Sequence, residues 1–378
     1  MNVNNEHICY LPWVGLDISQ QGEFRPCCKY DETSKPLPTS LEEYQSSQEL
    51  ADLKASFLAG EKPPGCRRCW NDEASGLPSK RQIDFAHALN NQIPTLGSIR
   101  ILGFTFGNSC NLSCRMCDSY ASSSWISDEK KLKINFPDLK IYKHQRFYQD
   151  AQFMKSILKL SSDVVQIDFA GGETFITGLD EHLEFLDFFV RNKLSNKVSL
   201  RYITNGTVFP KNEFWKIWEN FKSIEIQISI DGTENQYSYI RHLAKWSDVL
   251  NNITLYKQKP NIKMCISHTI SILNVFYIPE FTIWCLQNGF GRPYYGLVET
   301  PKHYNIQSLP LKIKNRISEK LNRFNFKNVV NYMYESDTSD NFETFIKLTN
   351  ELDRIRNQSF GKVFPEFHQL LKDEGCQI

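Results

Sequence analysis

Late in the first third of the chain, the run Asn108-Ser109-Cys110-Asn111-Leu112-Ser113-Cys114-Arg115-Met116-Cys117 places three thiols within eight residues. Soft sulfur donors suit iron–sulfur clusters and zinc. As cluster ligands, three thiolates hold three irons of a 4Fe-4S cube and leave the fourth iron for a non-protein ligand. As zinc ligands they need a fourth donor, for which Asp118 and His87 are the nearby side chains. A second group precedes this one. Cys66-x-x-Cys69 has the spacing of a metal half-site, and Cys9 and Cys27 bring it to four thiolates, enough for a closed 4Fe-4S cluster or a structural zinc. Cys28, beside Cys27, is the alternative fourth ligand. Of the cysteines outside both groups, Cys265 on a predicted strand reads as a hydrogen-atom donor or as a small buried hydrophobe. Cys285 reads as core and Cys376 as part of a tail.

The elements that must position these thiols change character along the chain. Before about residue 92, breaks at Pro36, Pro38, Gly60 and Pro63-Pro64-Gly65 leave mostly loops around the cysteines, with one predicted helix over 41–58 after the Thr39-Ser40 cap signal. The Lys-rich stretch over 129–146 reads as a solvated helix and loop. From residue 98 onward, strands predicted over 99–106, 164–170, 198–204, 224–230, 262–270 and 294–298 alternate with helices over 151–160, 181–191, 213–221, 246–256 and 279–288. That alternation predicts an α/β protein with a parallel sheet and right-handed crossovers, open or curved toward a partial barrel. The three-cysteine loop then follows the first strand of this region, at the end where such folds place their chemistry. In the fourth and fifth of these strands, isoleucines alternate with polar residues (Glu225, Gln227, Ser229; Lys263, Cys265, Ser267). One face is therefore apolar, and the other is expected to line a polar chamber shared with Gln166 and Asp168.

The Cys110-x-x-x-Cys114-x-x-Cys117 run, with Met116 before its last cysteine, resembles the signature of the radical S-adenosylmethionine (SAM) superfamily. Three later loops extend the resemblance, each at the C-terminal end of a predicted strand. Gly171-Gly172-Glu173 resembles the motif that binds the SAM amino group, although Thr174 stands where proline is frequent. Asn205-Gly206 resembles an element near the cofactor. Ser229-Ile230-Asp231-Gly232-Thr233 with Arg241 resembles a segment whose Ser and Arg engage the SAM carboxylate and ribose region. The resemblance implies a partial (β/α)6 TIM-like barrel holding a SAM-binding 4Fe-4S cluster on Cys110, Cys114 and Cys117. It also implies reductive cleavage of SAM to a 5′-deoxyadenosyl radical, hydrogen-atom abstraction from a substrate, and a flavodoxin- or ferredoxin-type electron donor. Met116 would pack against adenine, and His268 and Glu299 are candidate substrate contacts.

Cys9, Gly22 followed after four residues by Cys27, and Cys66-x-x-Cys69 are similar to the auxiliary-cluster modules called SPASM and twitch, which here would precede the core instead of following it. This layout divides the chain into an auxiliary-cluster segment over 1–97, a radical SAM core over 98–300 and a helical segment over 301–378. In the last, Tyr304, Leu309-Pro310, Leu352-Asp353 and Pro365-Glu366-Phe367 also resemble twitch-containing proteins, with no chemistry attached to them. The implied substrate is a peptide or protein undergoing maturation. A carbohydrate, nucleoside or other small metabolite is the alternative, and a non-catalytic, zinc-stabilised binding protein is the contrasting class.

Composition sets outer bounds. Eleven cysteines in 378 residues cannot all pair internally and are too sparse for a disulfide scaffold. Lys plus Arg number 44 against 43 for Asp plus Glu, and a net charge of +1 provides no field for a nucleic acid. The polar Met1–Glu6 start and the lack of a long apolar run lead to the expectation of a cytoplasmic protein with no membrane association.

Overall fold

The computed structural model describes residues 7–31, 37–90, 97–144, 146–376 and 378. Met1–Glu6, Pro36 and the side chain of His87 lie outside the described residues. The fold is mixed α/β, with eight strands among the described residues, mostly parallel: β1 (Gly15–Ile18), β2 (Phe24–Arg25), β3 (Ile101–Phe104), β4 (Gln166–Phe169), β5 (Ser199–Thr204), β6 (Ser223–Ser229), β7 (Ile262–Ile270) and β8 (Tyr294–Leu297). The chain forms two compact units, one of Met1–Asn108, His144–Ile203 and Pro210–Glu225, the other of Ser109–Lys143, Thr204–Phe209 and Ile226–Ile378.

In the first unit the strand order is β2-β1-β3-β4-β5. β1 is antiparallel to β2 and parallel to β3, and the β3–β4 and β4–β5 pairs are parallel. The six predicted strands correspond to β3–β8, each within three residues of its expected ends. β1 and β2 were not expected. Gly15-Leu16-Asp17-Ile18 is too short to show periodicity and becomes a strand by pairing Gly15 with Ile101 and Ile18 with Phe104. The helix predicted over 41–58 is two helices, Leu41–Ser46 and Gln48–Leu58, because Ser47 is extended and its hydroxyl accepts the Leu50 N–H to cap the second. Phe104, Phe169 and Tyr202 from this unit's strands pack with Phe185, Phe214 and Trp218 from its helices, all buried. Each contributes on the order of 1.5–3 kcal/mol through burial. His182 sits among them, its ring 4.2 Å from that of Phe169 and its Nε2 3.3 Å from the Tyr202 hydroxyl.

The second unit carries the end of β6, then β7 and β8, with β7 parallel to β8. Ile224, Ile226 and Ile228 of β6 are buried while Gln227 and Ser229 are half-buried, as the alternation predicts. The Lys-rich stretch departs from expectation. Its helix, Trp125–Leu132, buries Glu129, whose carboxylate accepts the Ser119 N–H at 2.8 Å. Charged neighbours concealed a residue that the turn before the helix needs as an acceptor.

Burial pushes the His182 pKa down from 6.5 to about 3, so the ring is neutral in the folded protein and takes up a proton on unfolding. Stability is then fully present above the ordinary value and is lost as pH falls toward the folded one, at about 1.4 kcal/mol per pH unit for this group. In urea titrations, His182→Phe is expected to flatten the acid limb by that slope. An acid limb identical to that of the parent protein would show that His182 does not carry it.

Candidate functional site

Within the second unit, the three-cysteine loop is fixed by its own backbone. The Ser124 hydroxyl donates to the Cys110 carbonyl at 2.6 Å, the Ser122 hydroxyl to that of Leu112 at 2.5 Å, and the Trp125 indole N–H to that of Cys114 at 2.8 Å. The loop's amides are held as well: Ser113 N–H donates to the His242 carbonyl at 3.1 Å and Arg115 N–H to that of Ile240 at 2.7 Å. With these groups satisfied, the sulfurs are left to face other partners. The Leu112 N–H points at Cys110 Sγ at 3.4 Å, and Asn205 Nδ2 lies 3.9 Å from the same atom. Arg241 Nη1 lies 3.8 Å from Cys114 Sγ. A hydrogen bond from Cys117 lowers the Cys114 pKa; burial opposes the shift and the Arg241 guanidinium adds to it. Donors and positive charge directed at sulfur are what a bound thiolate requires.

Asn205 and Arg241, chosen from sequence for cofactor binding, thus share a unit with Cys110, Cys114 and Cys117. Asn205 is locked in place, its Oδ1 accepting from Thr207 N at 2.9 Å and its Nδ2 donating to Asn111 Oδ1 at 2.9 Å. Gly206 has φ +75°, and a Cβ there would stand 2.7 Å from Ile228, so the turn requires glycine. Arg241 forms an ion pair with the buried Asp231 at 2.7 Å, and Asp231 in turn accepts the Thr269 N–H at 2.7 Å. Met116 and Ser229 are half-buried in this unit. Asp118, the candidate fourth donor of the zinc reading, is engaged in its own turn, where its Oδ1 accepts from Tyr120 N and Ala121 N. Cys265 is half-buried on β7 and Cys285 is fully buried in the helix Ile278–Gln287. His268 is buried, its Nδ1 3.0 Å from the Ile230 carbonyl oxygen, and burial lowers its pKa to about 4.

In the first unit, Gly171 and Gly172 adopt φ +81° and +49°. A Cβ on Gly171 would stand 2.1 Å from Thr105, so the turn after β4 closes only with glycine. Glu173 follows, fully buried, with Oε1 accepting the Phe175 N–H at 3.2 Å.

The same unit brings Cys9, Cys27, Cys66 and Cys69 around one cavity of about 310 Å3 that is partly open to solvent. Lys29, Lys80 and Arg81 also line it. Cys27 faces this cavity, whereas Cys28 is exposed and does not line it. The turn bearing Cys27 is tied to the Cys66 segment. Asp31 N–H donates to the Gly65 carbonyl at 3.0 Å, Asp31 pairs with Arg67 and Arg68 at 2.7 Å each, and a Cβ on Gly65 would stand 2.6 Å from Tyr30. Burial raises the pKa of all four thiols, and neighbouring thiols add to it at Cys9, Cys27 and Cys66. Burial opposes the charge on Lys80, but Asp84 at 2.7 Å, together with Cys28 and Asp168, raises its pKa well above the ordinary value and keeps the ammonium protonated. Four adjacent sulfurs that resist ionisation together fit a metal centre, whose positive charge makes their deprotonation favourable. None of the lining cations was singled out in the sequence: Lys29 directly follows Cys28, and only the fold brings Lys80 and Arg81 to the thiols.

Among the described residues, no three His, Cys, Asp or Glu side chains close on a single ion. An iron–sulfur cube attaches each thiolate to its own iron, so convergence on one point is not what these donor sets need. No helix among the described residues is long and apolar enough to cross a membrane.

No protein-family model matches the chain, and neither does any curated protein. Similar solved structures include native anSMEcpe with bound AdoMet (17% identity, TM-score 0.45, covering 69% of this chain and 67% of that one). Streptococcus suis SuiB is another (12% identity, TM-score 0.37, covering 84% and 68%). A third is TYW1 with a lysine-pyruvate adduct bound (15% identity, TM-score 0.32, covering 59% and 73%).

The cavity geometry separates the two adjacent cysteines. After anaerobic reconstitution, Cys27→Ser is expected to lose metal from the first unit while Cys28→Ser keeps it, read by metal content per chain. The reverse order would mean that Cys28 is the ligand.

Proposed function

We propose that this chain is a radical SAM enzyme. The observation that carries the reading is the grouping of Cys110, Cys114 and Cys117 with Asn205 and Arg241 in one unit, with N–H and guanidinium donors directed at the Cys110 and Cys114 sulfurs. Cys110, Cys114 and Cys117 would hold three irons of a 4Fe-4S cluster, leaving one iron for SAM. When bound, the cluster and SAM supply a one-electron cleavage that yields a 5′-deoxyadenosyl radical, which takes a hydrogen atom from the substrate. The protein's own task is placement. Arg241, fixed by Asp231, offers a permanent cation to a carboxylate, and Glu173 offers an acceptor to an ammonium group. Ser229 and Asn205 supply further polar contacts, and Met116 an apolar one for adenine. Burial of Asn205, Asp231 and Cys114 keeps water from competing at these atoms.

The catalytic core is proposed to be a partial (β/α)6 barrel built on β3–β8. Cys9, Cys27, Cys66 and Cys69 would hold an auxiliary 4Fe-4S cluster of the SPASM or twitch type. Support for that comes from their sequence pattern, their shared cavity, and three cations that offset the charge of a thiolate-bound cluster. The substrate we propose is a peptide or protein, on the strength of the resemblance of these cysteines to modules of peptide-modifying enzymes. The electron donor would be of the flavodoxin or ferredoxin type.

Protein purified without oxygen is expected to carry about eight irons per chain, four for each cluster, and to release 5′-deoxyadenosine when given dithionite and SAM. Replacing Cys110, Cys114 and Cys117 together by Ala should leave about four irons and abolish that product. Zinc at both sites with no SAM cleavage would overturn the proposal.

A further inference from the structure

Arg115 lies between two of the proposed cluster ligands, yet its side chain is fully buried and points away from sulfur chemistry. A guanidinium removed from water needs a carboxylate and a full set of acceptors. It finds the carboxylate in the helix Phe342–Arg356, 238 residues further along the chain, and two further acceptors outside it, while Nη1 has none. Arg115 Nη2 donates to Asp353 Oδ1 and, at 3.0 Å, to Gln358 Oε1, while Nε donates to the Tyr239 carbonyl at 3.3 Å. The guanidinium carbon also stands 3.7 Å from the centre of the Tyr239 ring.

Asp353 is the hub of this contact. Beyond Arg115, it accepts the Tyr239 hydroxyl at 2.8 Å and the Phe360 N–H at 2.6 Å. Tyr239 is two residues before Arg241, the side chain that reaches Cys114. One carboxylate therefore joins the cysteine loop through Arg115 to the segment carrying Arg241. The same helix makes a second, independent tie. Arg356, three residues on and hence on the same face, bonds Asp128 at 2.9 Å and lies 4.6 Å from the ring of Trp125, whose indole N–H holds the Cys114 carbonyl.

We infer that Asp353 is a positioning residue for the cysteine loop: by holding Arg115 it keeps Cys114 and Cys117 in register with Arg241. This gives the Leu352-Asp353 pair in the C-terminal segment a role, and it rests on the reading of that loop as the SAM-cluster cradle. Asp353 touches no proposed cofactor atom and acts only through Arg115 and Tyr239.

The test compares Asp353→Asn with the parent in full-length, anaerobically reconstituted protein. Asn keeps the shape and removes the charge. Loss of one charge-assisted hydrogen bond should speed amide exchange in residues 110–117, and release of the loop cluster's iron to a chelator, by about tenfold. Exchange in β7 and iron release from the first unit should not change. If Asp353→Asn does not fold, Gln358→Ala, which removes only the second acceptor, should give the same local pattern to a smaller degree. Loop exchange equal to the parent's, or a rise of the same size in every element, would overturn the inference. If the parent itself takes no iron on Cys110, Cys114 and Cys117, the cluster reading fails, while loop exchange in the same samples still decides whether Asp353 positions the loop.

Discussion

A sulfur withdrawn from water keeps a negative charge only where donors, cations or a metal stand beside it. Seven cysteines of this chain are placed under that constraint, and it accounts for much of the surrounding structure. Around Cys110 and Cys114 the compensation is built from the protein itself, through the Leu112 N–H, the Asn205 amide and the Arg241 guanidinium, whereas the hydrogen bond to Cys114 and burial push the Cys117 thiol up. Around Cys9, Cys27, Cys66 and Cys69, burial pushes every thiol upward, and Lys29, Lys80 and Arg81 supply the nearby positive charge.

Cations recruited in this way bring a secondary requirement, because each must itself be held. Arg241 is held by Asp231 and Lys80 by Asp84, and Arg115, which faces no sulfur, is held by Asp353. Breaking such a pair from one side leaves a buried charge without its partner, which costs about 3–5 kcal/mol, so these carboxylates are as constrained as the cysteines they serve. The polar interior of each unit is thus organised in tiers: sulfur, then cation, then carboxylate.

Local features of this arrangement were legible in the sequence. The alternating isoleucines of β6 revealed a strand with one apolar face, and the glycines at 171, 172 and 206 marked turns that the backbone confirms by positive φ. What the sequence concealed depends on pairing over distance. β1 is four residues long and exists only through β3. The spacing after Gly22 favoured Cys27 over Cys28, but only the fold shows that Cys27 lines the cavity and Cys28 is exposed. Leu352-Asp353 stood out as a pattern with no chemistry attached, because its partner Arg115 lies in a different third of the chain. Glu129 was hidden by the lysines around it.

The proposed chemistry requires the loop at Cys110 to carry a cluster with an iron open to SAM. Electron paramagnetic resonance of the dithionite-reduced Cys66→Ala, Cys69→Ala protein, with SAM added stepwise, addresses this directly because a single cluster remains. The account predicts the spectrum of one reduced 4Fe-4S cluster whose g-values shift as SAM binds, lost when Cys114→Ala is added. A spectrum that SAM leaves unchanged, or the absence of any cluster signal, would contradict it.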